Sequence, residues 1–406
     1  MILLIGAGLL VVLLAVCDRQ LRHMLVTTPK LPMGAALAPN AAPDSSLAVV
    51  IPVYNEAENL ADCLTAVLDN TDLSAAQMQV WVVDDQSTDE TWAIAQAFQQ
   101  ARSDPRLHLL SGTARPVGEI WVGKNWACVQ AIEQLQPDNA PDFLLFIDAD
   151  VRLGRGAIAA ALIEAQQSRA DLLSCAPALQ CACLAEWLVQ PIMLALLVLG
   201  FDNEAVNDPQ SKTAFAAGPF MLFRSTAYAQ IGGHRGVADQ VVEDVELARR
   251  VKFSGLRLRF ISGVEAVSVR MYRSWGALWE GWTKNLYAGS QRNLGATLGL
   301  AGLVGLLCVA PWVTFGAILL TGFWGGWSGV DGISLGLVAI ALGLQYDVRR
   351  VVGADSKLPP RYWWLTGVGG VLVMAIALAS IFKTETGIGW TWRGRSLKPM
   401  PPLEAK

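Results

Sequence analysis

The sequence predicts a mostly parallel, doubly wound α/β domain, with apolar helices before and after it that hold it at a membrane. Three observations predict this. Between Leu47 and about Gly263 short apolar runs alternate with helix-like segments, a spacing that favours parallel strands joined by helices. At the centre of that region Phe143 to Ile147 are five apolar residues in succession, too few to cross a bilayer and suited to a strand buried on both faces. Of the 406 residues, 53% are hydrophobic and only 16% charged, a charged share that points to membrane segments.

The totals also exclude. A net charge of −4 offers no basic surface to nucleic acid. Seven cysteines, at 17, 63, 128, 175, 181, 183 and 308, include no CxxC pair, and Cys175, Cys181 and Cys183 have no histidine near them. Buried, reduced thiols are expected in place of zinc ligands.

In chain order, residues 1–17 are almost wholly apolar and carry no leading positive charge, while Asp18 to His23 bring charge after the run. That order predicts an uncleaved transmembrane anchor with its downstream side in the cytoplasm. Residues 18–46, with an Ala/Pro-rich stretch from Pro29 to Pro43, read as a linker. The α/β domain is expected over 47–265. Its strands are LAVVIPV, QVWVVDD, Leu107 to Leu110 and the central run, and its helices are Glu56 to Asn70, Thr88 to Arg102 and Lys124 to Leu135. Trp187 to Gly200 is apolar but short and holds Pro191, which suits a helix lying in the membrane interface. Residues 266–293 form an aromatic segment and 294–383 a transmembrane region with three apolar stretches, followed by a tail over 384–406. Arg349, Arg350, Lys357 and Arg361 mark the loop before the last stretch as cytoplasmic. Four crossings would put Lys383, Arg393, Arg395 and Lys398 outside, against the charge rule; either one stretch is re-entrant or the rule fails.

The chemistry is expected where the central strand runs into Asp148-Ala149-Asp150. Residues i and i+2 of an extended segment share a face, so both carboxylates can aim beyond the strand's carboxyl end. Ligands of open α/β sheets bind there, and paired carboxylates suit a hard divalent cation. A solvated acidic turn is the plainer reading of the tripeptide alone. VVIPVYNEAENL (49–60) offers a turn whose amides can meet a ligand. WVVDDQSTDET (81–91) delivers Asp84 and Asp85 at a strand end, either to a ligand hydroxyl or as part of an N-cap cluster at Thr88 and Thr91. GEIWVGKN (118–125) falls short of a phosphate loop, because Asn125 stands where a hydroxyl would hold magnesium. An ATPase is rejected, although Lys124 at a helix start can still face a phosphate. AGPFMLFRSTAYAQIGGHRG (217–236) carries the isolated His234. Glu243 and Asp244 precede a short helix, LARRVKFSG, where favourable placement at the helix dipole competes with catalysis.

Taken in order, these motifs resemble the inverting glycosyltransferases of family two, on the GT-A nucleotide-sugar-binding (Rossmann-like) fold, over about Leu47 to Leu286. The resemblance implies that Pro52, Tyr54, Asn55, Glu56, Asp84, Asp85, Lys124 and Asp148 bind the nucleotide-sugar. It further implies that Asp148 and Asp150 hold Mg2+ or Mn2+ on the diphosphate, and that Asp244 takes the acceptor's proton. Glu243, His234, Trp275 and Trp282 then belong to the acceptor side. The QxxRW string of processive members is absent. In its place RMYRSWGALWEGWTKNLYAG (270–289) resembles the membrane-bound subgroup acting on carotenoids and hopanoids, with Trp275, Trp279, Trp282 and Tyr287 expected near one helix face, for acceptor stacking or plain interface anchoring. The implied reaction moves a hexose, such as glucose from a UDP-sugar, to the hydroxyl of a carotenoid, hopanoid or glycerolipid. The implied partners are the donor, the lipid acceptor and the bilayer, with no nucleic acid. A polysaccharide synthase or exporter subunit, an inactive membrane partner and a transporter are the rival readings.

Overall fold

The computed structural model describes residues 1–36, 44–135 and 140–397. Expectations for residues 37–43 of the linker and 398–406 of the tail, Lys398 included, lie outside the described residues. The chain divides into two compact units: Thr28–Gln180 with Phe201–Met271, and Met1–Thr27 with Cys181–Gly200 and Tyr272–Lys406.

The α/β unit is built on β1 (Leu47–Val53), β2 (Met78–Asp84), β3 (Leu107–Ser111), β4 (Phe143–Ile147), β5 (Val151–Leu153), β6 (Leu172–Ala176), β7 (Ala178–Leu179), β8 (Phe220–Arg224), β9 (Leu258–Ser262) and β10 (Val267–Val269). Seven of these form one sheet in the order β3-β2-β1-β4-β8-β6-β9, and β5-β10-β7 form a second. In the large sheet every pairing is parallel except those of β8, which runs antiparallel to both β4 and β6. The GT-A α/β fold with a mainly parallel sheet is therefore as expected.

Both faces of the sheet are covered, which explains the uninterrupted apolar runs. Alternation sends Val49, Ile51, Leu145 and Ile147 into one core, with Leu64 and Ala161 of the helices Leu60–Asp69 and Ala157–Gln167. It sends Val50, Leu144 and Phe146 into the other, with Cys128 and Leu247 of the helices Gly123–Gln134 and Glu243–Phe253. Two helices start later than the sequence predicts, at Leu60 and Thr91. The reason lies in the preceding turns. Asn55 adopts a left-handed φ of 53°, and the amides of Asn55 and Glu56 are donated to Ser87 Oγ (3.0 Å) and Thr91 Oγ1 (2.7 Å). Thr88 donates its backbone N–H to Asn55 Oδ1 (2.8 Å) and caps no helix.

In the other unit, four helical stretches among the described residues are long and apolar enough to cross a membrane: Ile2–Thr27, Leu294–Gly325, Gly329–Ala354 and Trp363–Thr386. A shorter apolar helix spans Leu184–Gly200. The contacts fix the helix directions. Arg22 pairs with Asp347, and Leu14 packs in one cluster with Ala341, so the first and third stretches run the same way. Gln345 donates to the Leu307 and Cys308 carbonyls and accepts from Trp312 Nε1, while Ile318 packs with Val338, so the second runs against the third. The fourth also runs against the second: Gly367 lies at Trp312, Gly370 at Cys308, Met374 at Gly305, and Glu385 pairs with Arg292 at 2.8 Å. The last two stretches thus share a direction, with Trp363 stacked edge-on at Tyr346 (5.4 Å). The chain between them turns back along the third helix before setting out again.

Candidate active site at the strand rim

Strands β2, β1 and β4 are parallel neighbours, so their carboxyl ends open on one rim of the sheet. Because β8 is reversed, its amino end reaches the same rim: Phe220 pairs with Ile147, and Gly218 precedes it next to Asp148's strand. The rim therefore collects the turn after Val53, the Asp84-Asp85 step, Asp148 to Asp150, and the Gly218 turn.

The first two pieces are knitted together. Asp84, 5% exposed, accepts from the Ser87 N–H at 3.2 Å, and the Asp85 amide donates to the Val53 carbonyl at 2.8 Å. Asp85 faces Arg115, whose Nη2 lies 3.4 Å from Oδ2. Pro52 is the next-to-last residue of β1, and Glu56 Oε2 accepts from Asn59 Nδ2 at 2.8 Å. Tyr54, Asn55 and Glu56 stand in the turn between. This arrangement holds the expected nucleotide-sugar residues on adjoining strand ends.

Asp148 and Asp150 do not sit on an extended segment, as the i, i+2 argument assumed. Asp148 to Val151 form a turn closed by the Val151 N–H on the Asp148 carbonyl (3.1 Å), and β5 follows at once. Both carboxylates are half-buried. Among the described residues no group of three or more His, Cys, Asp or Glu gathers into a ready cage. Two hard oxygen donors still fit Mg2+ or Mn2+, which are usually held by one or two carboxylates together with the substrate's phosphates.

Lys124 joins the strand rim to the helix Glu243–Phe253. Its Nζ lies 2.7 Å from Asp148 Oδ1 and 2.7 Å from Glu243 Oε1. Burial acts to lower the Lys124 pKa, but the two carboxylates outweigh it and hold the ammonium well above its usual range. Glu243, 6% exposed, is lowered: burial opposes its charge and Lys124 overrides that. Asp244 shows the opposite result. Burial first, and the neighbouring Glu243 charge second, push its carboxyl up to about 6, against the pull of Lys124 and the amides of Val245 and Gly218. Those amides donate to Oδ1 and Oδ2 at 2.8 Å each. One carboxylate is thus locked as an anion while the next is poised to exchange a proton near neutrality, a separation that general-base chemistry uses.

The remaining acceptor-side expectations take different places. Glu243 spends its carboxylate on Lys124. His234 is 1% exposed, its Nδ1 2.8 Å from the Tyr228 hydroxyl and its ring 4.5 Å from that of Phe146, and burial lowers its pKa to about 3. It is a neutral core histidine behind the rim. Trp275 and Trp282 lie in the other unit, on the helix Trp275–Gly289. Trp275 is 42% exposed, whereas Trp282 is 7% exposed and donates Nε1 to Gln190 Oε1 at 2.8 Å. Tyr287 is buried and about 120° around the helix from Trp275, since twelve residues at 100° each do not return to one face.

Two residues escaped the sequence reading. Asn125, fully buried, donates Nδ2 to the Val237 and Gln240 carbonyls (2.7 and 3.0 Å), and the Val122 N–H reaches the Ala238 carbonyl at 2.8 Å. These bonds pin the loop before Glu243 to the helix that carries Lys124. Gly218 lies so close to Asp244 that a Cβ there would stand 2.9 Å from Oδ2. The Gly-Pro step was visible in the sequence as a turn signal; for Asn125 no local signal existed.

Residues 48–232 match the family model of Glycosyl transferase family 2. No curated protein matches the chain. Among solved structures, the mannosyltransferase PcManGT from Pyrobaculum calidifontis in complex with GDP-Man and Mn2+ is similar with a TM-score of 0.50 at 18% identity, over 93% of this chain and 98% of that one. TarS 1–349 of S. aureus in complex with UDP-GlcNAc gives 0.39 at 14% identity, over 84% and 92%. Glucosyl-3-phosphoglycerate synthase from Mycobacterium tuberculosis with Mn2+, UDP and phosphoglyceric acid gives 0.40 at 18%, over 65% and 83%. Residues 48–232 are accordingly similar to glycosyltransferase family 2, and the α/β unit has the GT-A fold.

Proposed function

We propose that the chain transfers a hexose from a nucleotide-sugar to a hydroxyl of a membrane lipid, with inversion, and that Asp244 is the base. The observation that carries this reading is the junction at Lys124, which ties the donor-side Asp148 to the helix start that presents Asp244. The turn after Val53 and Asp84-Asp85 hold the nucleoside end of the donor. Asp148 and Asp150 would hold a divalent cation, Mg2+ or Mn2+, with the donor's diphosphate completing its oxygen shell. Bound there, such an ion supplies positive charge to the departing diphosphate. Lys124 fixes the Asp148 carboxylate and adds a second positive charge. Asp244, with a proton affinity near the working pH and both oxygens oriented by backbone amides, removes the proton from the attacking hydroxyl.

The four apolar stretches support a lipid acceptor, since they place a water-soluble donor and a bilayer-dissolved hydroxyl in reach of one protein. The helix directions support a cytoplasmic catalytic unit. Arg22 and Arg350 meet at Asp347, near the downstream ends of the first and third stretches, while the turn Gly326 to Ser328, before the third, carries no lysine or arginine. Carotenoid, hopanoid and glycerolipid remain the acceptors that the sequence resemblance favours.

The test is label transfer. Full-length protein in lipid nanodiscs is given radiolabelled UDP-glucose or GDP-mannose and a total membrane-lipid extract. Label is expected in the organic phase as a lipid bearing one or a few sugars, and to vanish on chelation. Label confined to a long water-soluble polymer would replace this reading with polysaccharide synthesis, and no label in either phase would leave an inactive partner.

A further inference from the structure

The helical unit holds an open cleft between the helices Ile2–Thr27, Leu184–Gly200, Leu294–Gly325 and Gly329–Asp355. Its walls are nearly all apolar, with Leu14, Leu21, Ile192, Leu196, Leu303 and Leu307 among them. Arg349 lines it too, and is only 6% exposed.

The origin of that arginine's position can be read from the chain. Pro191 has no N–H, so it leaves the carbonyl four residues earlier, Trp187, without its helical donor. Arg349 Nη2 donates to that carbonyl and to the Arg361 carbonyl at 3.2 Å. Both acceptors are neutral. Nε is buried without a hydrogen-bond partner, and no carboxylate among the described residues pairs with the guanidinium. The nearest acidic residue in sequence, Asp347, is engaged by Arg22 and by the exposed Arg350. A buried cation in apolar surroundings is costly unless an anion joins it. Ionisable groups in membrane helices usually mark a ligand or a pathway.

We propose that this cleft binds one amphiphile with an anionic head, its phosphate or carboxylate on Arg349 and its hydrocarbon chain along the leucine-lined wall. Small-ligand sites commonly combine apolar walls with few polar anchors, as this cleft does. Planar two-pronged donation explains why arginine suits an oxyanion here. The Trp187 carbonyl orients the guanidinium, whose Nε donates to no protein atom. This binding is independent of which lipid accepts the sugar.

Full-length protein is reconstituted in nanodiscs of equal dioleoylphosphatidylglycerol and dioleoylphosphatidylcholine, extracted gently, and weighed by native mass spectrometry. The wild type is expected to retain one phosphatidylglycerol with at least about tenfold preference over phosphatidylcholine. Oleate and inorganic phosphate are probed separately in detergent. Retained phosphatidylglycerol without oleate names a phospholipid head, retained oleate names a fatty acid, and phosphate binding as tightly as either would overturn an amphiphile site. Arg349→Gln is expected to lose the preference and Arg350→Gln to keep it. Leu196→Trp, which fills the cleft with Arg349 intact, should lose the lipid as well, and circular dichroism of each variant reports folding. Equal retention of both phospholipids by the wild type without oleate binding, or undiminished anionic lipid in folded Arg349→Gln or Leu196→Trp, sinks the proposal.

Discussion

At Lys124 one ammonium serves two carboxylates contributed by a strand end and a distant helix, and Asp244 is tuned by the same charges. A base must be deprotonated to act, so kcat/KM of the wild type should fall about tenfold per pH unit below about 6. Lys124 opposes the rise in Asp244, so Lys124→Gln should move that acidic limb to higher pH; an unmoved limb in a folded variant argues against Asp244 as the titrating base. Asp244→Asn keeps the side chain's size but cannot take the proton. Transfer should drop roughly 10²–10⁴-fold with nucleotide affinity little changed, by isothermal titration beside the rate. Near-normal transfer would return Asp244 to stabilising a helix start.

At the scale of elements, the rim depends on two joints that carry no charge. Gly218→Ala puts a methyl against the Asp244 carboxylate and should slow transfer by roughly 10–100-fold while leaving donor binding intact, because a small displacement of a catalytic group is costly. Asn125→Ala frees the loop before Glu243 and should cost about 1–3 kcal/mol in stability, read as a lowered thermal midpoint. The strands β1, β2 and β4 were legible because apolar runs buried on both faces announce themselves locally. The helix starts were not. Their place is set by Ser87 and Thr91 reaching across to the turn after Val53, a contact between loops that no periodicity encodes. For the same reason Asp148, Asp150 and Asp244 could be picked from motifs, while the Lys124 bridge to Glu243 could not. His234 looked like a free functional group, but its partner Tyr228 and its burial are tertiary facts.

Across the whole chain, the charge conflict in the sequence assumed that each apolar stretch reverses the one before it. The fourth does not reverse the third. The segment after it docks on the helix Trp275–Gly289, with the Thr391 hydroxyl and the Arg393 N–H donated to Glu280 (2.5 and 3.0 Å) and Lys284 over the Trp392 ring. Residues 387–397 thus return to the end of the bundle where Leu294–Gly325 begins. A fluorescent protein fused to the C-terminus should therefore light up in the cytoplasm, and Ser328→Cys should react with an impermeant maleimide added outside. Fluorescence lost at the tail, or labelling of Ser328→Cys only in opened cells, would require a different path through the membrane.

The reversed strand β8 has a consequence for how such a protein can change. Asp148 directly follows β4 and Gly218, whose amide holds Asp244, lies two residues before β8, so the turns that carry them leave paired strands about 4.8 Å apart. Between Val151 and Ala216 the strand β6 and the helix Ala157–Gln167 are part of the sheet and its core, so only the turns joining these elements can change length without disturbing that pairing. Length changes in those turns are therefore expected to leave the spacing of Asp148 and Gly218 in place.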